Sequence, residues 1–184
     1  MCGRYCVDIS KDDLSFVNNI NEIEYEKNFN VAPQTLAPCI IDNNLVIANW
    51  GYFPDWLKNQ SNSRPLFNTR HESLLDKKTF TSAFRNSRCL IPISGWYEWK
   101  EEDGIKQPYY FFDISESLLF AAGLYWNRSS GDIETSIITR EAVSLLQPIH
   151  NRSPLLLTSD SRDLWISDAP SEEIYTEVLG YTYS

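Results

Sequence analysis

Many short apolar runs mixed with short helical stretches, with no strand–helix–strand rhythm, predict an α+β fold with a largely antiparallel sheet. Hairpin signals support this, because Asp42-Asn43-Asn44 and Glu101-Glu102-Asp103-Gly104 each separate two strand-like runs. Aromatic residues are 14% of the chain and include six Trp, which marks a globular rather than a disordered protein. The 184 residues suffice for one domain with a real core. A single domain over residues 1–184 is therefore expected, with an acidic helical tail from about residue 159.

Taken in order, Ser10-Lys11-Asp12-Asp13 opens a short helix carrying Leu14, Phe16 and Val17, with a capping-box start. Residues 28–36 read as irregular, since Pro33 breaks any regular element. Residues 37–49 form a hairpin, and the aromatic stretch Trp50-Gly51-Tyr52-Phe53-Pro54 follows it. Helical stretches are expected after Asn68 and around 77–86. Residues 88–93, 96–99, 107–113, 118–126 and 134–139 read as strands, 140–147 as a helix and 155–158 as a short strand. Ser171 is the expected N-cap of a tail helix.

No apolar run approaches the ~20 residues of a membrane span. No basic-then-apolar leader precedes the fold, so a cytoplasmic protein with reduced thiols is expected. Cys2, Cys6, Cys39 and Cys89 form no Cys-x-x-Cys pair and have no His at ligand spacing, which argues against zinc. Cys6, Cys39 and Cys89 read as small buried hydrophobes. Net charge is −9. Residues 10–26 supply −4 (Lys11 against Asp12, Asp13, Glu22, Glu24 and Glu26) and residues 159–184 supply −5 (Arg162 against six acids), so the remainder is neutral. A local positive face can therefore exist despite the total.

The chain begins Met1-Cys2-Gly3-Arg4-Tyr5. Methionine is normally trimmed before a residue as small as cysteine. The mature chain would then carry an amine and a thiol on one carbon, with reference pKa values of about 8 and about 8.5. An amine converts an aldehyde to an imine, and the adjacent thiol closes that imine into a thiazolidine. On position alone, Cys2 is better read as an ordinary early residue.

Four further patches stand out: Asn30-Val31-Ala32-Pro33, Asn68-Thr69-Arg70-His71-Glu72-Ser73, Gly95-Trp96-Tyr97-Glu98-Trp99 and Ile149-His150-Asn151-Arg152-Ser153-Pro154. In Gly95-Trp96-Tyr97-Glu98-Trp99, strand alternation puts Trp96 and Glu98 on one face and Tyr97 and Trp99 on the other. A carboxyl against aromatics loses hydration, so its pKa rises toward the range of a general acid or base; an edge-strand Glu facing water is the alternative. His150, between Pro148 and Pro154, is a candidate proton carrier or a structural histidine. Asn68 suits orientation of a hydroxyl or carbonyl, or a helix cap. Arg70 and Arg152 suit phosphate through their forked guanidinium groups, or surface salt bridges. Trp50 suits stacking on nucleobases, or the core.

Together, MCGRY, NVAP, NTRHES, RCLIPISGWYEW and IHNRSP resemble the SRAP (SOS-response-associated peptidase) family of abasic-site processing proteins over residues 1–158. Two departures are Ser153, where the family usually has Met, and His71, where it usually has a small residue. The resemblance implies a mixed α+β pseudo-barrel with short flanking helices. It also implies a protein, expected to be monomeric, that binds single-stranded DNA and crosslinks itself to abasic sites through Cys2. Asn68, Glu98 and His150 would support the reaction, Arg4 and Arg70 would hold flanking phosphates, and Asn30, Pro33, Trp50 and Arg152 would complete the DNA surface. No cofactor or metal is implied. Two other classes remain open from the residues alone: an N-terminal-nucleophile peptidase or amidohydrolase, and a non-catalytic nucleic-acid binding module.

Overall fold

The computed structural model describes residues 2–58, 60–115 and 118–180. Met1 and its removal, and the last four residues of the expected tail, lie outside them. The strands are β1 (Arg4–Val7), β2 (Asn28–Val31), β3 (Leu36–Ile41), β4 (Asn44–Trp50), β5 (Asn68–Arg70), β6 (Arg88–Ile93), β7 (Gly95–Glu102), β8 (Ile105–Phe111), β9 (Leu119–Asn127), β10 (Ile133–Glu141), β11 (Arg152–Pro154) and β12 (Leu156–Leu157). The helices are α1 (Asp55–Lys58), α2 (Lys78–Asn86), α3 (Ser159–Trp165) and α4 (Ser171–Ile174), the last running into a π-helical turn.

Both expected hairpins form. Asp42 and Asn43 turn the first with φ of 48° and 57°, and Asp103 and Gly104 turn the second with φ of 50° and 78°. Positive φ at both turn residues matches the twist of the flanking strands, and Asp, Asn and Gly bear it best.

Strands β10, β4, β3, β6 and β9 pair in sequence, and β9 pairs back to β10, so five strands close into a barrel. It is mixed because β10 runs parallel to β4. A second sheet, in the order β2-β1-β7-β8, is antiparallel throughout.

Alternate residues of the barrel strands enter two different cores. Ile40, Leu45, Leu90, Leu124 and Ile138 join Phe84, Trp165 and Val178 from the helical segments. Helices cannot enter so narrow a barrel, so this is its outer face. Ala37, Cys39, Ala48, Cys89, Ala121 and Ile137 form the inner core, with Tyr5, Trp50 and Trp96. The inner set is rich in small residues because five strands enclose little room. Both acidic segments pack on the outer core, through Leu14 and Val17 in one and Trp165 and Ile174 in the other. Arg162 ties them together, lying over the Phe16 ring at 4.4 Å.

Several local expectations are corrected. Residues 28–31 form a strand despite two asparagines, because β1 offers them a paired edge. The segment after Asn68 is strand β5, paired with β10, followed by a 3-10 turn at His71–Ser73 rather than a helix. Residues 140–147 are the end of β10 and then successive turns, since Pro148 denies a helix its continuation. The stretch from Ser10 has its reciprocal Ser10–Asp13 cap but makes only a 3-10 turn at Asp12–Leu14. Ser171 is the first residue of α4, and Pro170 holds the capping position. No described helix is long and apolar enough to cross a membrane.

Gly123 tests the inner packing. A Cβ there would lie 2.9 Å from both Cys89 Sγ and Ile91 Cγ1. Gly123→Ala is expected to cost about 1–3 kcal/mol by overpacking, and adding Cys89→Ala should return part of that loss. Denaturant midpoints of the two single variants and the double variant check it.

Candidate functional site

The inner core presents its polar chemistry where β1 enters it. Tyr5 is buried against Trp50, with ring centroids 4.8 Å apart in an edge-to-face arrangement. That anchor and the β1–β7 pairing, Arg4 opposite Tyr97 and Tyr5 opposite Trp96, fix the start of the chain. Cys2, two residues upstream of β1, is fully buried. Its thiol is directed at the Arg4 carbonyl, 3.9 Å away. Burial and the nearby Glu98 carboxylate both push the thiol pKa well up.

Asn68 reaches the same point from a distant part of the chain. Parallel pairing of β5 with β10 sets Asn68 opposite Ile137. Its Nδ2 donates to the Cys2 carbonyl at 2.7 Å. Thr69 lies opposite Ile138, on the outer-core side, with its hydroxyl 2.8 Å from that of Ser136, so Asn68 and Arg70 share the other face. Arg70 is exposed there.

Glu98 lies on β7 opposite Tyr109 and is 2% exposed. Trp96 is buried on its face of the strand, while Tyr97 and Trp99 are more open on the other. Burial raises the Glu98 carboxyl to about 7. His150 Nδ1 stands 4.0 Å from Glu98 Oε2. Desolvation lowers the imidazole below its ordinary value. Glu98 and His150 line a cleft of about 460 Å³ together with Trp99 and Lys106. Those last two were missed from sequence. Trp99 lay inside a recognised motif, whereas nothing in the sequence around Lys106 signals its place.

Cys2, Asn68, Glu98 and His150 thus converge from four separated segments. The remaining candidates divide. Arg4 donates to Asn30 Oδ1 at 2.7 Å, so these two form one polar unit on neighbouring strands. Asn30 is exposed, and Pro33 is half-buried in the turn after β2. Trp50 is fully buried, with Nε1 donating to the Phe67 carbonyl, and has no free ring face for a base. It is core. The neighbouring Tyr52 is stacked on Trp126 at 3.8 Å. Arg152 is engaged by protein groups in this structure. Its guanidinium is bidentate to Glu72 at 2.6 and 3.0 Å and also donates to the Thr139 carbonyl at 2.6 Å.

The family model described as "SOS response associated peptidase (SRAP)" matches residues 1–182. The chain belongs to the SRAP family. Among SRAP relatives, it is 33% identical to the abasic site processing protein YoqW of Bacillus subtilis, over 100% of this chain and 88% of that one. It is 27% identical to YedK, the abasic site processing protein of Escherichia coli, over 97% and 85% of the two chains. A crystal structure of a phage-related protein from Bordetella bronchiseptica shares the fold, with a TM-score of 0.78 at 24% identity over 98% and 89% of the chains.

The raised Glu98 pKa has a consequence for stability. The folded state holds this proton up to pH about 7, whereas the unfolded chain releases it near its ordinary 4.5. The stabilising contribution is therefore complete below 4.5 and lost as pH rises to about 7, a loss of about 3 kcal/mol. Glu98→Gln should not show that loss, so it should exceed the wild type in stability at pH 8 and match it more nearly at pH 4.5. Denaturant unfolding of both proteins across this range checks the sign.

Proposed function

We propose that this SRAP protein processes abasic sites in single-stranded DNA by forming a covalent thiazolidine through Cys2 once Met1 has been removed. The relatives that share its length are named as abasic site processing proteins, which gives the substrate class. The observation that carries the reading is the grouping of Asn68, Glu98 and His150 around Cys2, anchored by the 2.7 Å hydrogen bond from Asn68 to the Cys2 carbonyl.

The chemistry follows from the environment. A buried thiol with a raised pKa is a poor resting thiolate. That disfavours a peptidase-type first attack by sulfur and favours attack by the α-amine. The amine adds to C1 of the ring-opened sugar, forming a C–N bond, and the carbonyl oxygen becomes a hydroxyl. Glu98 in its protonated form delivers a proton to that hydroxyl, which leaves as water, and the iminium remains. The Cys2 sulfur then adds to the iminium carbon and releases its proton to a nearby base, closing the five-membered ring. His150, with its lowered pKa, is suited to take that proton. Asn68 holds the Cys2 backbone so that amine and thiol face one carbon. Arg4 and Arg70, on the exposed rim, supply positive charge for flanking phosphates.

Incubation with a single strand containing one abasic site is expected to give a heat-stable protein–DNA band. Cys2→Ala should abolish it, because an amine alone leaves a reversible imine. An undiminished band from that variant would refute the thiazolidine. Glu98→Gln should slow single-turnover adduct formation by roughly 10²–10⁴-fold.

The pH profile carries the same assignment. The free amine fraction rises up to pH about 8, while protonated Glu98 declines above about 7. Wild-type rates should therefore rise to pH 7, level off, and fall beyond pH 8; Glu98→Gln should lose the falling limb. Arg4→Ala and Arg70→Ala should each reduce the salt dependence of binding to undamaged single strands by about one charge. Titrations at several salt concentrations measure it.

A further inference from the structure

Two residues that the mechanism does not use, Glu72 and Arg152, bear directly on His150. The Arg152 backbone N–H donates to His150 Nδ1 at 2.9 Å. A backbone N–H can only donate, so Nδ1 of the neutral ring carries the lone pair and Nε2 carries the proton. The Arg152 carbonyl lies 3.1 Å from the same Nδ1. It can accept when that nitrogen is protonated. The N–H and the carbonyl of one residue, on two successive peptide units, therefore both face Nδ1, and in the neutral ring the N–H fixes the Nε2–H tautomer.

The Arg152 backbone works in this way only if it is held in place. On one side, β11 pairs with β10, with Arg152 opposite Glu141. On the other, the Arg152 side chain folds back to Glu72, with Nη1 to Oε1 at 2.6 Å and Nη2 to Oε2 at 3.0 Å, and to the Thr139 carbonyl. Arg152 is 12% exposed at this contact, so the fork is fixed in geometry as well as in charge. Glu72 Oε2 is also 3.2 Å from His71 Nδ1. Glu72 sits in the 3-10 turn directly after β5, the strand that carries Asn68. The Glu72–Arg152 pair is a strut between the strand that orients Cys2 and the loop that presents His150.

We propose that Glu72 is a positioning residue for His150, acting through the Arg152 fork and the Arg152 backbone; this rests on His150 being the proton carrier of the reaction above. Among the described residues, the side-chain partners of Glu72 are Arg152 and His71, neither of them Cys2. The effect of Glu72 is to keep His150 in one tautomer and one orientation toward Glu98. In this structure the Arg152 charge is paired with Glu72.

The test is a pair of measurements on the full chain. Nitrogen NMR of the His150 ring in the wild type should give a single Nε2–H tautomer, and Glu72→Gln should shift the ring signals toward a mixture. Single-turnover adduct formation on an abasic single strand should slow between about 10- and about 100-fold in Glu72→Gln. That loss should vanish when the change is made in a His150→Ala background. An unchanged ring spectrum would overturn the proposal, as would an equal loss of rate in both backgrounds. Tighter binding of Glu72→Gln to an undamaged strand with an unaltered ring spectrum would also overturn it, since Glu72 would then only withhold Arg152 from phosphate. The ring spectrum needs no DNA, so it decides the role of Glu72 even if the wild type forms no adduct and the reading of the reaction fails.

Discussion

Strand β10 is the constraint on which the molecule depends. Its first half lies between β9 and β4, which closes the barrel. Its second half pairs with β5 and then with β11. Four strands thus hydrogen-bond along nine residues, two of them parallel and two antiparallel. The same strand that encloses the inner core therefore delivers Asn68 through β5 and the His150–Arg152 segment through β11. Barrel closure and site assembly share one set of backbone hydrogen bonds. The non-local pairings this requires carry a loop-closure cost, which the two apolar cores offset.

The site opposes that stability. Cys2 and Glu98 are both almost fully buried, and each would be more readily ionised in water. A protein under selection for stability alone would place apolar side chains there. A carboxyl near pH 7 in its titration is instead suited to proton transfer at neutral pH, and burial is the means of obtaining it. The surrounding scaffold tolerates the cost because the Tyr5–Trp50 contact and the β1–β7 ladder hold the chain start independently of the polar groups.

The distribution of charge follows the same division. The acidic segments cover the outer face with the helices, while the rim near Cys2 carries Arg4 and Arg70. A net charge of −9 is therefore a poor guide to the local field. The two candidates that the fold withdraws from the surface differ in cause. Trp50 is consumed by the inner core, where a narrow barrel needs a large plug beside its small residues. Arg152 is consumed by Glu72, eighty residues away in the chain.

What the sequence by itself determined is local. The hairpin turns at Asp42-Asn43 and Asp103-Gly104, helix α2, and the alternation that puts Trp96 and Glu98 on one face and Tyr97 and Trp99 on the other all depend on neighbours within a few residues, whose sterics act in any context. Family membership was legible for the same reason, since its motifs are short strings. Only the tertiary structure decided that residues 28–31 and 68–70 are strands, that Trp50 is core and that Arg152 belongs to Glu72. Each of those outcomes depends on a partner far away in sequence. A paired edge can override weak strand propensity, and a distant, half-exposed carboxylate can claim an arginine that nothing nearby would hold. Local pattern specifies what a residue can do; the long-range partner selects which of those things it does.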